Sequence, residues 1–220
     1  LLFGTENAQG VFGVEGSALN ITGVDFALAL LSDVSSSRSW IAAKGSVGDI
    51  SLPAIDGVAA SFSNGAFSFS RATDGGAVVD FAATNLVIRT GVTGSITLDF
   101  DGSRGEFTQL SGDVELNLFA NLALSGGFAV TIDVQSFDLS NGESIQANTL
   151  LFGLNDADAF VGVDNNGDLT GVSLSGVDLG LIIATDSSNS LNKYLAMVGD
   201  VNGARLEGVP DITLSVSDGL

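Results

Sequence analysis

The tetrapeptide Leu1-Leu2-Phe3-Gly4 returns 149 positions later as Leu150-Leu151-Phe152-Gly153, and the likeness runs on from Gly13-Val14-Glu15 to Gly162-Val163-Asp164. Past small insertions, Thr22-Gly23-Val24-Asp25-Phe26-Ala27-Leu28 reappears as Ser175-Gly176-Val177-Asp178-Leu179-Gly180-Leu181. Trp40 then falls on Tyr194, Gly45 on Gly199, Val47 on Val201, Leu52 on Leu206, and Ser61-Phe62-Ser63-Asn64-Gly65 on Ser215-Val216-Ser217-Asp218-Gly219. A chain holding two copies of one unit is expected to build an array whose neighbouring copies share a core. The repeat divides the chain into residues 1–65, the C-terminal part of one repeat unit; 66–149, the remainder of the period; and 150–220, a second copy of the opening segment. No Pro-rich or Ser-rich linker separates the copies, so they are expected to abut. A chain that opens on Leu1 partway through a unit reads as a piece of a longer one. A fainter echo, of Ser63-Asn64-Gly65-Ala66-Phe67 in Leu124-Ser125-Gly126-Gly127-Phe128 and of Ala83-Thr84-Asn85-Leu86 in Ala147-Asn148-Thr149-Leu150, suggests half-units of roughly 60 to 75 residues.

Within the units, side chains alternate with period two. Val24, Phe26, Leu28 and Leu30 point one way and Asp25, Ala27 and Ala29 the other, and Val114, Leu116 and Leu118 alternate with Glu115, Asn117 and Phe119. Strands are likewise predicted over Ala66–Ser70, Ala77–Phe81, Asn85–Arg89, Ser95–Phe100, Phe128–Val134, Ser144–Phe152 and Ile212–Val216. Between them stand Asn64-Gly65, Asp74-Gly75, Asp101-Gly102, Asn141-Gly142, Asn166-Gly167 and Asn202-Gly203, dipeptides that supply the positive φ of tight hairpins. Pro53 and Pro210 lie at nearby positions of the two copies and mark the same loop or edge. The predicted fold is all-β: antiparallel strands joined by tight hairpins, with repeated units stacked into an elongated sheet, sandwich or solenoid-like array.

Charge narrows the partners. Hydrophobic residues make up 45% of the chain, yet Asp+Glu is 26 against Lys+Arg 7, for a net charge of -19. The apolar content excludes a disordered acidic tail, and the charge excludes nucleic acid, which calls for basic patches. No apolar run is long enough for a membrane-spanning helix. Copies of itself, divalent cations and surface glycans remain as partners. Six aspartates stand between apolar neighbours, Asp25, Asp80, Asp99, Asp133, Asp138 and Asp178. On strands they form a solvated outer face that keeps edges from sticking or, in the sharper reading, carboxylates bridged by cations between chains.

Catalysis is poorly provided for. His 0 and Cys 0 remove the common general base, the thiol nucleophile and the usual zinc ligands, and neither Lys44 nor Lys193 sits in a nucleophile motif. The chain is therefore expected not to be an enzyme. Two oxygen-rich stretches are candidate calcium loops: Asp164, Asn166 and Asp168 at alternate positions, and Asp99, Asp101 and Glu106. The first competes with a plain Asn166-Gly167 turn and has Ser175 where an EF-hand would place its bidentate glutamate. In the second, Arg104 offers a carboxylate a partner within the chain.

The tandem unit, the Asp- and Asn-Gly turns, the absence of cysteine and the closing Gly208-Val209-Pro210-Asp211-Ile212-Thr213-Leu214-Ser215 together resemble modules of giant repetitive surface proteins and adhesins of marine or salt-adapted bacteria. The resemblance implies an extracellular or cell-surface location and a structural or adhesive role in a filament or coat. Two other classes compete. An outer-membrane β-barrel shares the Gly-rich alternation, but its aromatic girdles need Trp and Tyr, and this chain has Trp 1 and Tyr 1. A carbohydrate-binding β-sandwich would present exposed aromatic platforms, whereas most of the 14 Phe fall in strand registers that suggest core.

Overall fold

The computed structural model describes residues 1–14, 17–51, 58–119, 121–165, 168–209 and 215–217. Among these residues there is no α-helix and the strands are β1 (Leu2–Val14), β2 (Ser17–Ser32), β3 (Ser39–Ser51), β4 (Val58–Ala72), β5 (Leu86–Arg89), β6 (Ser95–Leu98), β7 (Phe107–Leu118), β8 (Leu122–Asp138), β9 (Ser144–Asn165), β10 (Asp168–Asp186), β11 (Lys193–Glu207) and β12 (Ser215–Ser217). All but β5 and β6 form one antiparallel sheet in the order β1-β2-β3-β4-β7-β8-β9-β10-β11-β12. Its two end strands do not meet, so the sheet is open and is not a barrel. At 22 residues, β9 runs for about 70 Å.

The two sequence copies occupy the same register. Phe3 pairs with Leu28 as Phe152 pairs with Leu181, Phe26 with Gly45 as Leu179 with Gly199, and Asp49 with Ser63 as Gly203 with Ser217. Even the irregularities recur. β1 bulges at Asn7 (φ 49) and β9 at Asp156 (φ 48), and the freed amide in each donates 2.8 Å to an aspartate of the next strand, Asp25 and Asp178 respectively. The turns after β2 and β10 are also counterparts. The Asp33 amide donates to the Arg38 carbonyl and the Asp186 amide to the Asn192 carbonyl. Asp25→Ala and Asp178→Ala are each expected to cost about 1 kcal/mol. The two sites lie about 29 Å apart across the sheet, so the losses should add in urea melts of the single and double variants.

One predicted turn is a bulge instead, and another continues its strand. Asn64 has the expected positive φ (51) but sits inside β4, where the register slips between Ser63 and Ala66. Gly126 (φ 152) lies in β8 opposite the β9 bulge at Asp156, so the first half-unit echo pairs a bulge in β4 with a strand that is not itself bulged. Asn202-Gly203 also lies within β11. Turn and bulge demand the same backbone conformation, and the dipeptide does not distinguish them. Asp74-Gly75 and Asn141-Gly142 do turn, and Asp101 caps a 3-10 turn over Gly102–Arg104. The second half-unit echo has no structural counterpart, since Ala83–Leu86 leads into short β5 while Ala147–Leu150 lies within the first part of long β9. Pro53, Pro210, Asn166-Gly167 and residues 212–214 of the last predicted strand lie outside the described residues.

Residues 73–106 leave the meander between β4 and β7 and fold back as a cap. The β5–β6 hairpin lies over β1–β3, and Phe81, Ile88, Leu98 and Phe100 pack with Phe107 on Ala27, Ala29 and Ala42. The predicted strand Ala77–Phe81 is not one. That segment crosses the sheet, taking a 2.9 Å hydrogen bond from the Trp40 indole at the Ala77 carbonyl and burying Phe81. Small residues on the sheet, Ala27, Ala29 and Ala42, let this second layer sit close.

Candidate functional site, an uncovered apolar face

Residues directly opposite one another on neighbouring strands share a face. One row across the sheet reads Phe3, Leu28, Ala43, Phe69, Thr108, Ile132, Leu150, Ile183, Leu195. Two positions along, the next reads Thr5, Phe26, Gly45, Phe67, Leu110, Val130, Phe152, Leu181, Met197. Beyond the bulges the same side continues through Phe62 and Val114, then Leu116, Leu124, Ala159, Leu174 and Ala204. Contacts along the face are aromatic, with Phe26 stacked on Phe67 at 5.7 Å and Phe62 edge-on to Phe128 at 6.0 Å. These rows hold no charged side chain, and Arg71, Asp138 and Lys193 stand at the strand ends.

The opposite face takes the charge. Asp25, Asp49, Asp113, Asp133, Asp158, Asp178 and Asp200 all alternate with the apolar rows. Most bond within the chain. Asp113 accepts from the Asn64 amide at 2.7 Å, Asp133 from Gln135 and Thr149, and Asp138, at the rim, from Ser144. Asp80 accepts from the amides of Ala82, Ala83 and Gly102. The aspartates between apolar neighbours thus serve bulges, turns and cross-strand bonds as well as an outer face.

Among the described residues nothing covers the rows on the apolar side. Leu110 is 46% exposed, Ile132 44%, and Leu195 and Met197 71% each. A compact protein of 22.2 kDa presents about 9,400 Å² to water, whereas this chain presents 13472 Å². The excess of about 4,000 Å² is of the size that permanent protein interfaces bury.

No protein-family model, curated protein or solved structure matches the chain.

Three of the candidate calcium ligands hold partners within the chain. Asp99 pairs with Lys44 at 2.8 Å, Asp101 accepts from the Ser103 amide at 2.8 Å, and Glu106 accepts from the Ala72 amide at 2.9 Å. Arg104, the expected carboxylate partner, instead lies 4.0 Å over the Phe107 ring. Asp168 pairs across from Asn165 where β9 meets β10, while Asn166 and the side chain of Asp164 lie outside the described residues. Among the described residues no three Asp or Glu side chains are gathered where they could hold a metal ion together.

Hydrogen bonds also set the acidity of the turn aspartates. The Ser35 hydroxyl and amide, then the Ser36 hydroxyl, lower Asp33 to about 2. Ser188 lowers its counterpart Asp186, and the Ser103 amide lowers Asp101. A depressed folded-state pKa stabilises above the unfolded value of about 3.9 and loses that contribution as pH falls towards 2. The Asp33 carboxyl carbon should therefore titrate by NMR with a midpoint near 2. A midpoint near the unfolded value would mean that the Ser35 and Ser36 bonds are absent in solution.

Proposed function

We propose that the chain is a non-catalytic structural repeat module of a large extracellular or surface-borne bacterial assembly, and that its apolar face is closed by a second sheet of the same kind. One observation carries this reading: a sheet segregated into a charged face and an apolar face whose rows hold no charged side chain and which none of the described residues covers. Leaving those rows in water costs roughly 25 cal/mol per Å² of apolar surface. Among possible covers, a like sheet offers matching rows at the 10 Å spacing of sheet-on-sheet packing. An anionic lipid surface is repelled by a net charge of -19. The opposite face and rims supply the adhesive or cation-bridged outer surface, with divalent ions such as calcium as ligands there.

Sedimentation and negative-stain microscopy of the native material across a salt series test this. Particles of two or more chains should form and grow as salt screens the carboxylates. Monodisperse monomers at every salt concentration would contradict it.

A further inference from the structure

On the charged face β8 carries short side chains, Ala123 and Ser125, between longer ones on its neighbours, Glu115 and Asn117 of β7 and Asp158 and Phe160 of β9. The result is a trough two strand spacings, or about 10 Å, across. With Ser173 of β10 these residues line an open hollow of about 320 Å³. The first copy shows that the repeat's cap does not reach this part of the face. There the cap rests on Ala27, Ala29 and Ala42, and Val11, the counterpart of Phe160 beyond the β1 bulge, stays 69% exposed.

On this side the Phe160 ring joins none of the apolar rows. It leans along β9 over the bare backbone of Gly162, where a Cβ would come within 2.7 Å of its Cζ. Laid down in this way, the ring turns one face to the sheet and the other outward. Beside it the Glu115 carboxylate and the Asn117 amide hold no hydrogen bond among the described residues, whereas Asp113 and Asp133 on the same face are bonded within the chain. Asp158 commits one oxygen to the Gly176 amide at 3.3 Å and keeps the other. In the first copy Val11 and Gln9 stand where Phe160 and Asp158 do, so only the second copy sets a ring beside a carboxylate.

We propose that this hollow binds a neutral pyranose glycan. The face of an aromatic ring carries partial negative charge and attracts the partly positive C–H groups on one side of a sugar ring. Hydroxyls at the sugar's edge donate to Glu115 and Asp158, bonds that an ionised acceptor strengthens, and the Asn117 amide both donates and accepts. Two carboxylates beside the ring, on a chain of net charge -19, turn away uronic and other acidic sugars. The site rests on the reading of the charged face as the adhesive outer surface and gives that surface a ligand, but it is indifferent to what closes the apolar face. Repetition along an array converts a weak single site into strong avidity.

The test is a set of saturation-transfer NMR titrations of the full chain with cellopentaose, mannopentaose and galactopentaose, and with pentagalacturonic acid as the acidic comparison. At least one neutral sugar should bind saturably, with the strongest transfer to the C–H protons of one ring face, and the acid should not. Phe160→Leu keeps apolar bulk over Gly162 but removes the flat ring, and should weaken binding about five- to tenfold. Glu115→Gln, at an exposed side chain, should weaken it about fivefold with strand content unchanged by circular dichroism. Absence of saturable binding by all three neutral sugars would overturn the proposal, as would equal binding of the acid. So would binding that neither variant moves, which would place the glycan elsewhere. Sedimentation of the same samples separates the two readings: chains that assemble but bind no sugar overturn this site and leave the closed apolar face standing.

Discussion

Leu110→Asp combined with Ile132→Asp should convert the assembled protein to monomers while leaving its strand content intact. Both residues sit in the middle of the apolar rows on adjacent strands, and at 46% and 44% exposure they contribute less to the sheet's own packing than to anything laid over it. Each forfeits about 2 kcal/mol of apolar burial in the assembly, and an unpaired carboxylate buried there adds at least as much again. Together the two changes should weaken association by more than about a thousandfold. Matching substitutions on the charged side, such as Gln109→Asp, should leave association within about tenfold of the native chain. Equal effects on the two sides would show that non-specific charge, and not the apolar face, governs assembly.

Phe107→Ala should cost the fold about 3–5 kcal/mol. The ring is 2% exposed, meets Phe100 edge-on at 5.2 Å, and lies under the Arg104 guanidinium where β7 passes beneath the cap. Its loss leaves a cavity between the sheet and the cap. Amide exchange in β5 and β6 should accelerate before that in β8–β10, because the cap rests on this cluster while the central strands rest on one another. A loss under about 1 kcal/mol in urea melts would mean that the cap is held by its rim bonds, Lys44 to Asp99 and Trp40 to Ala77, and not by its core.

The antiparallel all-β fold was legible because alternation and repetition are local. Val24 to Leu30 alternate on β2 as they do in sequence, and the paired copies keep one register across the sheet. What escaped were features set by tertiary context. Asn64-Gly65 demanded positive φ and received it in a bulge, since nothing in the dipeptide says whether the strand reverses or continues. Ala77–Phe81 alternates like a strand but pairs with no strand among the described residues, and it became the start of the cap. Asp33-Val34-Ser35-Ser36, which closes the β2–β3 connection, lacks the glycine that marks other turns, yet an aspartate two residues before a serine was a readable signal for it. The apolar face was foreshadowed by high apolar content beside -19 of charge, but its being uncovered depends on which rows the cap reaches, and no single strand records that.

Photochemical carbene footprinting of the native material tests the central claim most directly, because the label reads solvent access side chain by side chain. Val34, Val92 and Leu191, 103%, 90% and 88% exposed in loops, give the fully labelled reference within the same chain. If a second sheet closes the apolar face, Leu110, Ile132, Leu150 and Met197 should be labelled several-fold less than those loop residues, and Leu110→Asp with Ile132→Asp should restore labelling at Leu150 and Met197. Labelling of the four at the level their exposure in the isolated chain dictates, in native particles larger than one chain, would contradict the account and place the assembly contact elsewhere.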